Sequence, residues 1–518
     1  MRMSLWMLAL AGCGFEFGTS YSAGVDALWD AESVVSSADG LYARMPQTGG
    51  LVLLAPGAEP VFADVGAGHI VGLVPDQSGG RLAAILDRTR CVAVEERDLR
   101  GVQYVNECPS NAEKVTEREI AQVQGGVLGA GVSVPAHVNT VSWMPDGSRA
   151  VGWMDADQPV SLSGVVDPSS VEILDLAAGT ATPVRLGFVA TDLLFSDDGN
   201  TALALSRSEV AVVNVGVSPP VLEVVFPLTL DVTAPVTPTG VDLTPDGAYA
   251  MVTVAGRSDL YVLDLVNHSV NLLTLSGTPS SLMVLPDLDR TVVAFANKAV
   301  VDVIDHDVFD VTEIPINGAV TTLTRAGDRL IGASPNGRAA SLVDVMMLKS
   351  WSYRLENPIL EMRAAPGGEY AVALTRAEGG NGAGVGGLYD AHPGLEVLDL
   401  RADANGEVRG DSSPYILESE GLGLAFSADA ASLEVLVLQD GLDYLFALDL
   451  YTGLQREVQL AAPPVALGVL PSGTFWITQE AGLGLVSFLE PGADAPVEVS
   501  GFATHGMFEQ ERLVEDGQ

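Results

Sequence analysis

Between Thr239 and Leu275 the chain reads TGVDLTPDGAYAMVTVAGRSDLYVLDLVNHSVNLLTL. Pro245-Asp246-Gly247 separates a short apolar run from a second at Tyr249–Val254; a third, Leu260–Leu265, carries Asp264, and a fourth covers Val270–Leu275. Four short strands joined by turns in about forty residues are the size of one β-propeller blade. The unit recurs. From Val141 onward its first turn is Pro145-Asp146-Gly147, Asp197-Asp198-Gly199, Pro245-Asp246-Gly247, Pro286-Asp287, Ala326-Gly327-Asp328, Pro366-Gly367-Gly368, Ala428-Asp429 and Pro471-Ser472-Gly473. Proline presets φ, aspartate accepts from backbone N–H groups, and glycine takes positive φ.

A second, independent mark closes the third run: Asp175, Asn214, Asp264, Asp305, Asp344, Asp399 and Asp449, spaced by 39 to 55 residues. Each side chain should cap the turn into the outer strand, so these acids read as scaffold. Eight units are clear. Two weaker ones precede them, one over Ser33–Asp64 with the turn Ser37-Ala38-Asp39-Gly40, and one from Ile70 through Cys91–Val94. Blades of this kind usually number four to eight. The expected fold is all-β: a single propeller of four-stranded blades, about eight of them, with seven the next alternative.

The Thr244-Pro245-Asp246-Gly247 turn and the Leu260–Asp264 strand resemble the YVTN and WD-repeat-like propellers of bacteria. The signature tetrapeptide is replaced by Met251-Val252-Thr253-Val254, and the Trp-Asp dipeptide of true WD repeats is missing from the strand ends. The resemblance covers roughly residues 141–500 and implies fold alone.

Met1–Gly12 reads MRMSLWMLALAG: one arginine, an apolar run, then small residues before Cys13. It is too short to span a bilayer and has the layout of an export signal. Leu10-Ala11-Gly12-Cys13 resembles the lipobox of bacterial lipoproteins. That resemblance implies acylation of Cys13, anchoring in the cell envelope by more than one chain, and, with Gly14 rather than aspartate next, the outer membrane. Cys91 and Cys108 remain. An even pair in an exported protein is a disulfide candidate; two buried thiols are the alternative. The expected organisation is a signal at 1–12, a tether at 13–30, degenerate units at 31–108, an insertion at 109–140 with a short helix over Glu113–Val123, repeats at 141–500 and an acidic tail at 501–518.

Net charge is −41, from 67 acidic and 26 basic residues, only three of them lysine. Such a surface repels phosphate backbones and excludes nucleic acid as a partner. With 6% aromatic residues the core must rest on Val, Leu and Ala. Membrane contact is expected through the lipid anchor only.

The second-to-third-strand loops and the connections between blades share one face of a propeller. Three long excursions fall there: 109–135, 155–169 with Asp155, Asp157 and Asp167, and 376–394 with Tyr389, Asp390 and His392. Long loops on a rigid scaffold are where binding concentrates, so these six residues are the candidate binding face for another envelope protein or polymer. Two clusters offer hard oxygen ligands for Ca²⁺: Asp302, Asp305 and Asp307 around His306, and Asp403, Asn405 and Glu407. Neither completes a calcium-loop consensus, and no cofactor is expected. Gly382–Gly387 is not followed by a helix pattern, so it fails as a nucleotide loop. No Gly-x-Ser-x-Gly elbow accompanies the six histidines. The leading expectation is a lipid-anchored binding or scaffold protein without catalytic residues. The alternatives are a propeller enzyme, lactonase-like or quinoprotein-like, and a surface-architecture or adhesion protein.

Overall fold

The computed structural model describes residues 34–503, apart from 46–48, 64, 66–67, 77–78, 92–113, 156–166, 230–235, 380–388, 404–405, 429–431 and 482–483. The signal, the tether, Cys13, Cys108 and the acidic tail from 504 lie outside the described residues. Among the described residues ten antiparallel sheets follow one another along the chain, nine with four strands and one with five; all pairs join sequence neighbours except in the five-stranded sheet, where Val132–Val134 pairs with Lys114–Gln124. They span 34–63, 68–134, 140–185, 192–227, 238–274, 279–315, 322–354, 359–416, 421–459 and 464–500, and are numbered here as blades 1 to 10.

The strand composition explains the layering. In blade 5 the two middle strands, Tyr249–Val254 and Asp259–Asp264, are almost wholly buried, whereas the outer strand Ser269–Thr274 is mostly exposed. Middle strands are covered on both faces by neighbouring blades, so they read as continuous apolar runs, not alternating ones. Each apolar cluster draws on two consecutive blades, as where Leu203 and Val212 of blade 4 meet Val252 and Leu263 of blade 5. Ten such clusters join ten blades.

The last cluster closes the ring. Leu470, Trp476 and Phe488 of blade 10 pack on Leu41, Val52 and Leu54 of blade 1. Trp476 Nε1 donates to Ser36 Oγ at 2.7 Å. Blades 1 and 10 each take their four strands from one contiguous stretch. The ring is therefore shut by side-chain packing, without exchange of a strand between the ends.

The expected number of about eight blades is corrected to ten. Both weak units are complete blades. Blade 1 lacks the proline of the first turn and the aspartate after its third strand, which made it faint in sequence. Blade 2 hides its third strand, Lys114–Gln124, beyond residues 92–113. That strand replaces the helix expected at Glu113–Val123 and pairs along its length with Leu82–Cys91. Glu119, Ile120, Ala121 and Val123 are all buried, and burial on both faces suits a middle strand rather than a one-sided helix.

Both repeat marks act as read. Gly147, Gly199 and Gly247 hold φ of 62°, 66° and 65°, and Asp246 Oδ1 accepts from Ala248 N at 3.0 Å. Asp264 Oδ1 accepts from Val266 N and Asn267 N, Asp344 Oδ1 from Met346 N and Met347 N, and Asp449 Oδ1 from Tyr451 N and Thr452 N.

Trp476→Ala should destabilise the ring by about 3–5 kcal/mol, the usual range for a buried large aromatic, as read by urea unfolding. Leu454→Ala, at a residue 68% exposed in blade 9, should change it by no more than about 0.5 kcal/mol.

Candidate functional site

The loops after the second strand of blades 2, 3 and 8 leave the ring on one face, which also carries the connections between blades. In blades 3 and 8 the loop bases are pinned. In blade 3, Asp155 N donates to Asn139 Oδ1 at 2.7 Å, and Asn139 Nδ2 donates to Asp155 O at 3.0 Å. At the far end of that loop Asp167 Oδ1 accepts from Ser169 Oγ at 2.6 Å, and its other oxygen pairs with Arg185 at 3.2 Å. The Ser169 hydroxyl holds the Asp167 carboxyl below its usual range. Beneath it lies His137, 1% exposed, with Nε2 3.4 Å from Ser170 Oγ; burial pushes its pKa down. Asp157 lies outside the described residues.

In blade 8, Asn357 Nδ2 donates to Tyr389 O at 2.7 Å and to His392 O at 3.0 Å. Arg338 of blade 7 pairs with Glu378 and, at 3.3 Å, with Asp390. Glu378 N donates to Asp390 O at 2.9 Å. Asp390 thus belongs to the loop's foundation, while the His392 side chain is exposed. Blades 3 and 8 are five apart in a ring of ten. The structure therefore places Asp155 and Asp167 across the ring from Tyr389, Asp390 and His392; they do not form one cluster.

The metal candidates are occupied by structural work. Asp302 is fully buried and accepts from Ser276 N at 2.7 Å and Ser276 Oγ at 2.6 Å. Asp305 caps its turn by accepting from Asp307 N at 3.0 Å. His306 Nε2 lies 2.8 Å from Thr291 Oγ1, and burial lowers its pKa. Glu407 accepts from Trp351 Nε1 at 3.2 Å and pairs with Lys349; Asn405 lies outside the described residues. Among the described residues no three His, Cys, Asp or Glu side chains gather as a metal site. Cys91 ends the second strand of blade 2, and its expected partner Cys108 is outside the described residues.

A device invisible in the turn motif recurs at the third position of the third strand. It holds Glu172, Asp302, Ser341 and Glu396 in blades 3, 6, 7 and 8, all buried. Three of the four grip the connection arriving from the preceding blade. Asp302 takes Ser276, Ser341 Oγ accepts from Asn317 N at 3.1 Å, and Glu396 Oε1 accepts from Glu356 N at 2.8 Å and Asn357 N at 3.2 Å. Gln439 and Gln479 do the same in blades 9 and 10, from the end of the second strand. The signal was present in VEILD, VDVID and LEVLD as an acid inside an apolar run, since buried acids are rare unless partnered. Burial pushes Glu172 and Glu396 up to about 7.

A cavity of about 800 Å³ sits at the opposite face, where Asp287, Arg325, Arg363, Phe426 and Leu467 line the inner mouth of blades 6 to 10. Arg325 pairs with Asp287 and Arg363 with Glu361, so its guanidiniums are already balanced by carboxylates.

No family model matches the chain, and no curated protein matches its sequence. Among solved structures it is similar to a dihydro-heme d1 dehydrogenase, NirN, in complex with DHE, at 16% identity and TM-score 0.40, over 66% of this chain and 71% of that one. It is also similar to hydrazine synthase of Kuenenia stuttgartiensis, at 16% identity and TM-score 0.32, over 60% and 99%. A third is apo AztD from Citrobacter koseri, at 13% identity and TM-score 0.35, over 64% and 92%. Likeness at this level carries no functional argument, and the propeller assignment rests on the ten sheets themselves.

Glu396 gives a signed pH dependence. Its carboxyl is raised by burial from the usual 4.5 to about 7, so the folded chain holds a proton that the unfolded chain has lost. That contribution is fully present below pH 4.5 and falls away as pH rises through 7, by at most about 3 kcal/mol. Glu396→Gln should flatten the decline in unfolding free energy between pH 5 and pH 8. Its amide would place a neutral group where Glu396 Oε2 is now buried without a hydrogen-bond partner. Superimposable pH profiles for the two proteins would remove this assignment.

Proposed function

We propose that the chain is a lipid-anchored binding or scaffold protein of the cell envelope. The ring is its rigid frame, and the face bearing the long loops of blades 2, 3 and 8 makes the contacts. One observation carries the reading: loop bases at Asp155–Asp167 and Tyr389–His392 are fastened to the frame by Asn139, Asn357 and Arg338, at sites across the ring from each other. That geometry suits a broad partner, protein or polymer, better than a small substrate. The innermost strand of blade 1, Val34–Ser37, begins on this same face, so a tether from Cys13 joins the ring on its binding side. No helix among the described residues is long and apolar enough to cross a membrane, and the anchor would be acyl chains on Cys13.

Two measurements test it. Palmitate labelling in the native host should be abolished by Cys13→Ser; labelling that survives removes the anchor from that residue. Asn357→Ala frees the carbonyls of Tyr389 and His392. It should speed proteolysis near 389–392 and weaken capture of partners from the protein's own envelope at least fivefold. Undiminished capture would move the contacts off blade 8.

A further inference from the structure

The outer edge of each blade is an unpaired strand, and unpaired edges invite pairing with another chain unless something blocks it. Seven of the ten blades carry a block. Among the outer strands of four or more residues, Pro183, Glu223, Glu313, Lys349, Pro414, Arg456 and Glu498 each interrupt one with a charge or a proline. The strand Ser269–Thr274 of blade 5, SVNLLT, has neither. Among the described residues no strand pairs with its far side. Val270 is 40% and Leu272 55% exposed, and Val266 in the preceding turn is 72% exposed.

We propose that this edge pairs antiparallel with the same edge of a second copy of the chain, joining two blades into one eight-stranded sheet. The occupant follows from charge. A chain of net charge −41 meeting a basic partner would gain from acids on the edge, such as those the outer strands of blades 4, 6 and 10 carry. An edge bare of either sign is what identical strands need, because any charge on it would face its own copy across the twofold axis.

The register follows from the side chains. Val270 and Leu272 lie on one face, opposite Leu263 and Tyr261 of the adjoining strand. Pairing centred on Asn271 sets Val270 of one copy against Leu272 of the other, twice. A six-residue edge buries less than the roughly 1,200 Å² of a stable interface, so the dimer is weak. Repulsion between the two acidic rings opposes it and is relieved by salt.

Sedimentation velocity on the full chain, purified as its Cys13→Ser form, decides this. The 53.9 kDa monomer should give way to dimer as sodium chloride rises from about 0.02 M to about 0.5 M, where the Debye length shrinks to a few ångströms. Leu272→Lys should weaken the dimer at least tenfold, whereas Leu454→Lys, at a comparably exposed apolar turn of blade 9, should leave it intact. Both substitutions are on the surface, and an unchanged circular dichroism spectrum checks folding. Asn271→Cys should yield a disulfide-linked dimer under mild oxidation. A chain that stays monomeric at every salt concentration, or a dimer indifferent to Leu272→Lys, overturns the proposal. Protection of the 269–274 amides only when another envelope protein is added would assign the edge to that protein and overturn it equally.

Discussion

Everything in this molecule depends on the seam where blade 10 meets blade 1. Nine of the ten interfaces join blades that are neighbours in sequence and could form locally. The tenth brings Trp476 and Phe488 against Leu41 and Val52 across nearly the whole chain. No strand crosses it. The closure entropy of so long a loop is met by apolar burial and by the Trp476–Ser36 hydrogen bond. The short segment at Phe502 and Ala503 packs into the same cluster.

Around the ring a polar device complements the apolar one. Connections between blades have N–H groups that no sheet satisfies, and the neighbouring blade reaches back with Asp302, Ser341, Glu396, Gln439 or Gln479 to accept from them. Each acceptor is buried, so leaving its partner unmade would cost on the order of 1–3 kcal/mol. These buried acids and amides are held by the frame, and that leaves the exposed loops and edges as the surfaces free to meet a partner. Glu396 links the two roles, because the Asn357 it grips also fastens the blade 8 loop.

The repeat was legible where its turn chemistry is strong. Pro245-Asp246-Gly247 and Asp264 fixed blade 5 to within a residue or two, and the same marks located blades 3 to 10. The blade number was not legible, for physical reasons. Blade 1 turns on Ala38-Asp39-Gly40 and follows its third strand with Ala55, so neither mark is complete. In blade 2 the stretch Glu113–Val123 read as a short helix, and only its pairing with Leu82–Cys91 turns it into sheet. The loop residues were legible as candidates, and their common face followed from propeller geometry. Their separation across the ring was not, since it depends on the blade count. The outer strand of blade 5 looked like the most ordinary part of the repeat until its uncharged edge could be compared with seven others.

The central claim is that two faint N-terminal units complete one ring of ten. A cryo-electron microscopy reconstruction viewed down the ring axis tests it most directly. Ten radial sheets should be counted, with the five-stranded one next to the seam blade and Trp476 density against the innermost strand of blade 1. Eight sheets closing on themselves, with residues 34–134 packed elsewhere, would contradict the account.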